Sequence, residues 1–232
     1  EARFLTDYAA GSLPPAQALC VVTHLHYCQA CRQKTAELTE LGAELFSRQQ
    51  PAPISEAEFG RLLQRIEDPR TALKSPVSTA QSAPAESLQP VAEAAEKSRN
   101  TALLPRALQR LANGNLGQLA WQPLGRHLRV SRLQVGDPQR ETSLLFIKAG
   151  GSVPHHRHQG DEITVVLQGS FSDHEGKYAV GDFVVRTQGE RHRPVASQDE
   201  DCLCLATVDA PLVMSNWLLR LAMYFMNRRQ AL

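Results

Sequence analysis

A chain of 232 residues with a formal charge of +1 at neutral pH has room for two small domains and no global electrostatic footprint for nucleic acid. A part in gene control would therefore run through a protein partner rather than through DNA. No apolar run reaches the roughly 18 to 20 residues of a membrane-spanning helix, so a membrane is not an expected partner either.

The first elements read as helices. Leu5, Tyr8 and Ala9 suggest a short helix stopped by Gly11. Ser12 is placed to cap a second helix, with Pro14 and Pro15 in its first turn and Leu19, Val22 and Leu25 at helical spacing. Cys28 and Cys31 mark a turn into a third helix, with Leu38, Leu41, Leu45 and Phe46 on one face. Pro51 and Pro53 break it, and Ser55-x-x-Glu58 is a capping box for a fourth helix carrying Phe59, Leu62, Leu63 and Ile66. That helix could lie on a partner or complete a four-helix bundle.

Within this stretch His24 and Cys28 are four residues apart and share a helix face, and Cys31 follows across the helix end. One imidazole and two thiolates suit a tetrahedral, structural Zn²⁺. Cys20 is about 12 Å from Cys28 along a helix, too far to share the ion, and His26 points to another face. The chain starts with Glu and shows no signal-peptide pattern, so a fourth ligand is expected just upstream of it. The five cysteines (Cys20, Cys28, Cys31, Cys202 and Cys204) are an odd set that fits reduced thiols and a cytoplasmic location.

From about 68 to 100 the composition turns to Pro, Ser, Ala, Gln and Glu, which reads as a flexible linker with a transient helix near Val91 to Lys97. It joins two units, 1–67 and 101–232, that need not be rigidly docked. From Trp121 onward the texture is β. Short strands are expected at Arg129 to Leu133, Ser143 to Ile147, Glu162 to Leu167, Asp182 to Val185 and Cys202 to Ala206, in a sandwich or small jelly-roll barrel.

Gly150-x5-His156-x-His158-x3-Glu162-x6-Gly169 resembles the first cupin motif at every spacing, and Gly181-x5-Thr187-x-Gly189-x2-His192 follows as the second. Thr187 stands where proline is usual and Ala196 where asparagine is usual; neither is a ligand. His156, His158, Glu162 and His192 can converge on Zn or another divalent transition metal, and donor type alone does not choose among them. His155 should point away by strand alternation. Cys202 and Cys204 share a strand face and cannot easily close a disulfide. They are core residues, a redox-sensitive pair, or neighbours of the metal. Leu212 to Met226 reads as a strand end and an amphipathic helix with Trp217, Leu218, Leu221 and Tyr224.

Asp7-Tyr8-Ala9-Ala10-Gly11, Thr23-His24-Leu25 and Cys28-x-x-Cys31-Arg32 resemble the zinc-binding anti-sigma factors of the ChrR type. The resemblance implies an all-α zinc-binding anti-sigma domain followed by an all-β cupin domain that also holds zinc. It implies a second histidine near the N-terminus as a further ligand, and no matching residue stands there. It implies sequestration of an extracytoplasmic-function sigma factor, released on singlet oxygen or related reactive species, and no enzymatic activity. Two other readings stand beside it. A three-histidine, one-glutamate cupin also serves dioxygenases and isomerases. A binding module that forms a homodimer through the C-terminal helix is the third.

Overall fold

The computed structural model describes residues 2–67, 104–112, 116–209 and 213–214. The expected linker, its transient helix and the C-terminal helix with Trp217 lie outside these residues.

Helices α1 (Ala2–Ala9), α2 (Pro15–Tyr27), α3 (Gln29–Ser47) and α4 (Glu56–Glu67) fall where the periodicity places them. Gly11 turns the chain after α1 at φ +68°, a conformation costly for any residue with a Cβ. The capping box holds: the Glu58 N–H donates to the Ser55 hydroxyl at 3.3 Å, and the Ser55 N–H donates to the Glu58 carboxylate at 3.0 Å.

The start of α2 differs from expectation. The Ser12 hydroxyl turns back to the Asp7 carbonyl and closes α1 instead. Successive prolines keep Pro14 extended just before the helix (φ −56°, ψ 147°), which leaves Ser12 too far upstream to reach a helical amide. The Ala16 N–H instead reaches the Asp137 carboxylate, 3.4 Å away and 121 residues later in the chain.

A short helix α5 (Arg106–Leu111) precedes the strands β1 (Gln122–Pro123), β2 (Leu128–Leu133), β3 (Glu141–Ile147), β4 (His156–Arg157), β5 (Glu162–Gln168), β6 (Ser170–Ser172), β7 (Lys177–Ala179), β8 (Phe183–Arg186), β9 (Arg191–His192), β10 (Val195–Ala196), β11 (Cys202–Val208) and β12 (Val213–Met214). They form a six-stranded sheet, β1-β2-β3-β11-β5-β8, and two three-stranded sheets, β10-β6-β7 and β12-β4-β9. All five predicted strands are present. The jelly-roll barrel is not closed: among the described residues no ladder joins the large sheet to the small ones. The small-sheet strands run only two or three residues each.

Both faces of the large sheet are covered. In β5 and β11 six consecutive residues are buried, so the apolar runs there are two-sided. Inward-facing Leu128, Ile147, Val166, Val184, Cys202 and Cys204 pack with Phe171 of β6 and Ala196 of β10. Outward-facing Leu144, Ile163, Val165, Leu203 and Leu205 pack with Phe4 and Leu5 of α1, Leu19 and Val21 of α2, and Leu108 of α5. The two units are thus docked, and the first two helices share their core with the sheet. α3 has no fully buried residue, and only its Cys31 and Leu38 pack, partly buried, against that core.

The asymmetry is measurable. Leu205 is 0% exposed between sheet and helices. Leu205→Ala should cost about 3 kcal/mol in chemical denaturation. Leu41, 52% exposed on α3, should cost under about 0.5 kcal/mol when truncated to Ala.

Candidate metal centres

Four side chains meet inside the β domain. His156 on β4 stands directly opposite His192 on β9. His158 follows two residues after His156, and Glu162 opens β5. All four are at most 6% exposed, and their donor atoms lie within 4.8 Å of one another.

The hydrogen bonds around the rings show what this geometry lacks. His156 Nδ1 sits 2.9 Å from the Pro154 carbonyl, which can only accept, so Nδ1 carries the proton and Nε2 is bare. His192 Nδ1 donates to the ionised Asp173 carboxylate at 3.0 Å, so its Nε2 is bare too. These two Nε2 atoms face each other at 2.9 Å, and His158 Nε2 lies 3.0 Å from that of His192. Facing lone pairs repel unless a cation lies between them. His158 Nδ1 and Glu162 Oε2 approach to 3.2 Å, yet neither is aligned for a hydrogen bond and both are buried. The residues therefore fit a metal ion.

Burial also tunes the donors. It pushes His156 down to about 4 and His158 to about 3, so both are neutral and ligand-ready at pH 7. It raises Glu162 to about 7, against the opposing pull of the Thr164 hydroxyl and Arg186. Asp173 behaves the other way. Burial acts to raise it, but hydrogen bonds from Arg186, His192 and the Glu175 amide hold it at about 2.

Asp173 and Arg186 escaped the sequence reading. Arg186 Nη2 donates to Asp173 at 2.8 Å and to the Tyr178 hydroxyl at 2.7 Å, while Nη1 reaches Glu175 at 2.7 Å. A signal existed: alternation along β8 puts Arg186 on the inward face, and a buried guanidinium demands a carboxylate. Asp173 has no such signal, because it comes from the turn after β6.

Cys202 and Cys204 are both buried, with sulfurs 3.6 Å apart. They are core residues. Cys204 also lines the cavity beside His156 and Glu162, and contact with Cys202 together with burial raises its thiol pKa. His155 is exposed and outside the cluster, as alternation predicts.

The second group lies at the α2–α3 junction. His24 occupies the last turn of α2. Cys28 ends α2 and caps α3, its sulfur accepting from the Cys31 N–H at 3.4 Å. The donors of His24, Cys28 and Cys31 also fall within 4.8 Å of one another. His24 Nδ1 donates to the Gly181 carbonyl of the β domain at 2.7 Å, which leaves Nε2 bare, buried and without a partner. This too fits a metal ion. Among the described residues no fourth donor joins the group, and Cys20 is buried elsewhere in the core. Gly181 is required at this contact: at φ +92° a Cβ there would come within 2.7 Å of Tyr27 Cβ.

Residues 110–210 match the family model described as the ChrR cupin-like domain. Over 95% of its length the chain is 33% identical to the anti-sigma-E factor ChrR of Cereibacter sphaeroides, covering 93% of that protein. The chain belongs to the ChrR family of anti-sigma factors. Its fold is similar to the crystal structure of Rhodobacter sphaeroides SigE in complex with the anti-sigma ChrR. That match has a TM-score of 0.67 and 31% identity, covering 90% of this chain and 96% of that chain. Among the described residues no helix is long and apolar enough to cross a membrane.

Ion uptake at the β-domain cluster must expel the proton that Glu162 holds up to about pH 7. Metal affinity should therefore rise up to about tenfold per pH unit between roughly pH 5 and 7 and flatten above. His156 and His158 stay neutral through this window and add no slope. Competition with a chelating dye measures it. Asp173→Asn, which removes the charge orienting His192, should weaken binding by about 10- to 100-fold.

Proposed function

We propose that this chain is a cytoplasmic anti-sigma factor, a regulator rather than an enzyme. Its helical region sequesters an extracytoplasmic-function sigma factor. Its cupin domain releases that factor when singlet oxygen or a related reactive species acts on the metal centre. In this reading residues 1–67 are the anti-sigma domain, 68–100 the linker and 101–232 the sensor. His24, Cys28 and Cys31 hold a structural zinc, and His156, His158, Glu162 and His192 hold zinc or another divalent transition metal.

The observation that carries the reading is an exposed apolar ribbon on α3, α4 and the segment between them. Leu41, Leu45, Phe46, Ile54, Phe59, Leu62, Leu63 and Ile66 are between 42% and 80% exposed. On α4 the positions 59, 62, 63 and 66 form one stripe at helical spacing. A helix with an apolar stripe that no described residue covers is built to lie on a partner. The family relative solved with SigE supplies the class of partner.

A covalent and hydrogen-bonded route supports communication between the two centres. His24 Nδ1 holds the Gly181 carbonyl at 2.7 Å. Gly181 leads into β8, whose Arg186 holds Asp173, which in turn holds His192. β5 offers a second route, with Glu162 facing the cluster while Ile163 and Val165 face α2. A rearrangement of the cupin ligands would shift the seat of the helical clasp and bias the complex toward free sigma factor.

The test uses the full chain, because the first two helices share the sheet's core. Phe59→Asp with Leu63→Asp should weaken binding of the sigma factor at least about 100-fold. Both side chains are exposed, so helicity and metal content should not change. Wild-type affinity in that variant would defeat the reading. A complex that resists singlet oxygen would leave sequestration standing and remove the sensing half.

A further inference from the structure

The outer face of the β12-β4-β9 sheet carries positive charge with no answering acid. His156 and His192 are buried toward the cluster, and alternation sends Arg157 and Arg191 to the opposite face, where both are exposed. The two arginines are direct partners across the β4–β9 ladder. Opposed residues hold their Cβ atoms about 5 Å apart, and like charges in that position are destabilising. Arg193 follows two residues after Arg191 and is exposed on the same face. Its guanidinium donates to the Ser152 hydroxyl, at 3.1 and 3.4 Å. The nearby carboxylates are committed elsewhere. Asp173 and Glu175 pair with Arg186 at 2.8 and 2.7 Å, and Glu190 lies 4.0 Å from it and accepts from the Thr187 hydroxyl. Asp161 is held by Arg3 of α1 at 3.6 Å. Among the described residues no carboxylate reaches Arg157, Arg191 or Arg193.

Spacing and charge select the ligand. Guanidinium groups rooted about 5 to 7 Å apart on two adjacent strands can close on one tetrahedral anion. Each presents a planar fork of N–H donors that matches phosphate oxygens. A duplex nucleic acid needs a longer row of cations, one for each of several phosphates, and strands of two residues do not supply it. A single carboxylate brings one negative charge to three arginines. A phosphoryl group brings close to two, with three free acceptor oxygens. Arg191 and Arg193 line a surface groove with His155, His174 and Ser172, whose ring N–H and hydroxyl groups are further donors of the kind an oxyanion accepts from.

We infer that the outer face of β4 and β9 is a binding site for a phosphoryl group, held by Arg157, Arg191 and Arg193. The site is separate from the metal cluster, whose histidines leave the same two strands in the other direction. Binding makes and breaks no covalent bond. It replaces the repulsion between Arg157 and Arg191 with attraction of both to one anion, and so clamps β4 to β9. Those strands carry the facing His156 and His192, so an anion on the outer face steadies two cluster residues on the inner one. The inference rests on neither the sigma-factor reading nor the metal assignment.

The test is titration of the full chain with inorganic phosphate in chloride buffer, followed by phosphorus NMR and calorimetry. Phosphate should bind with a dissociation constant between about 0.1 and 5 mM. Doubling the ionic strength should weaken it at least about twofold. Arg157→Gln with Arg191→Gln should weaken it at least about tenfold. Lys34→Gln with Arg48→Gln removes the same charge from exposed positions on α3 and should leave the affinity within about twofold of wild type. Arg191→Gln with Arg193→Gln serves as a second variant if the first does not fold. A phosphoserine peptide in parallel separates the sources: tighter binding than phosphate assigns the group to a modified protein, and equal or weaker binding assigns it to a free phosphate compound. No binding up to about 20 mM phosphate would overturn the inference. So would wild-type affinity in a folded arginine variant, which would put the anion elsewhere, the cluster included. Tighter binding of an unphosphorylated glutamate-rich peptide than of phosphate would overturn the choice of ligand.

Discussion

Alternation along β5 and β11 sends one set of side chains toward the metal cluster and the next toward the helices. Glu162, Thr164 and Val166 face inward, while Ile163, Val165 and Leu167 face outward. Neither face is open to water, so the strands cannot slip by one residue without exchanging a ligand for a core aliphatic. The register that builds the cluster is therefore the register that seats α1 and α2. Cluster geometry and helix docking are two outcomes of one constraint.

Charge follows the same layout. Three buried histidines and a buried glutamate would be an expensive set of polar groups in an apolar sandwich. The domain offsets this with Arg186, Asp173 and Tyr178, which form a hydrogen-bonded network behind His192. That network holds one ring nitrogen protonated and points the other at the cluster. Within the cluster itself His158 Nδ1 and Glu162 Oε2 stay without a hydrogen-bond partner, 3.2 Å apart. At the other centre His24 repeats the logic with a backbone carbonyl in place of a carboxylate.

Much of this was legible in the sequence. Every proposed ligand of both groups falls into its cluster, because motif spacing encodes local geometry: four residues along a helix for His24 and Cys28, alternation for His156 and His158. Ser55 and Glu58 form their capping box because its partners are three residues apart. What escaped depends on distant pairings. An apolar run such as Ile163 to Leu167 reads the same whether its second face meets helices or another sheet, so the docking of α1 and α2 was hidden. Asp137 capping α2 and Asp173 orienting His192 are contacts between segments far apart in the chain or across a turn. Ser12 misled for a local reason, since two prolines moved the helix start beyond its reach.

The clasp marks where self-sufficiency ends. Before it, α1 and α2 bury Phe4, Leu5, Leu19 and Val21 on the sheet, and the chain satisfies its own apolar surface. After it, α3 and α4 bury nothing large. Cys28 belongs to both helices, as the last cap of one and the first of the next. A metal held by His24, Cys28 and Cys31 would therefore fix the angle at which the unsatisfied half leaves the satisfied one. Three short helices bury too little to set that angle by packing alone. The Gly181 carbonyl ties the same histidine to the sheet, so the angle is referenced to the β domain and not merely to α2. The exposed ribbon is consequently presented from a seat whose footing lies in the cupin domain.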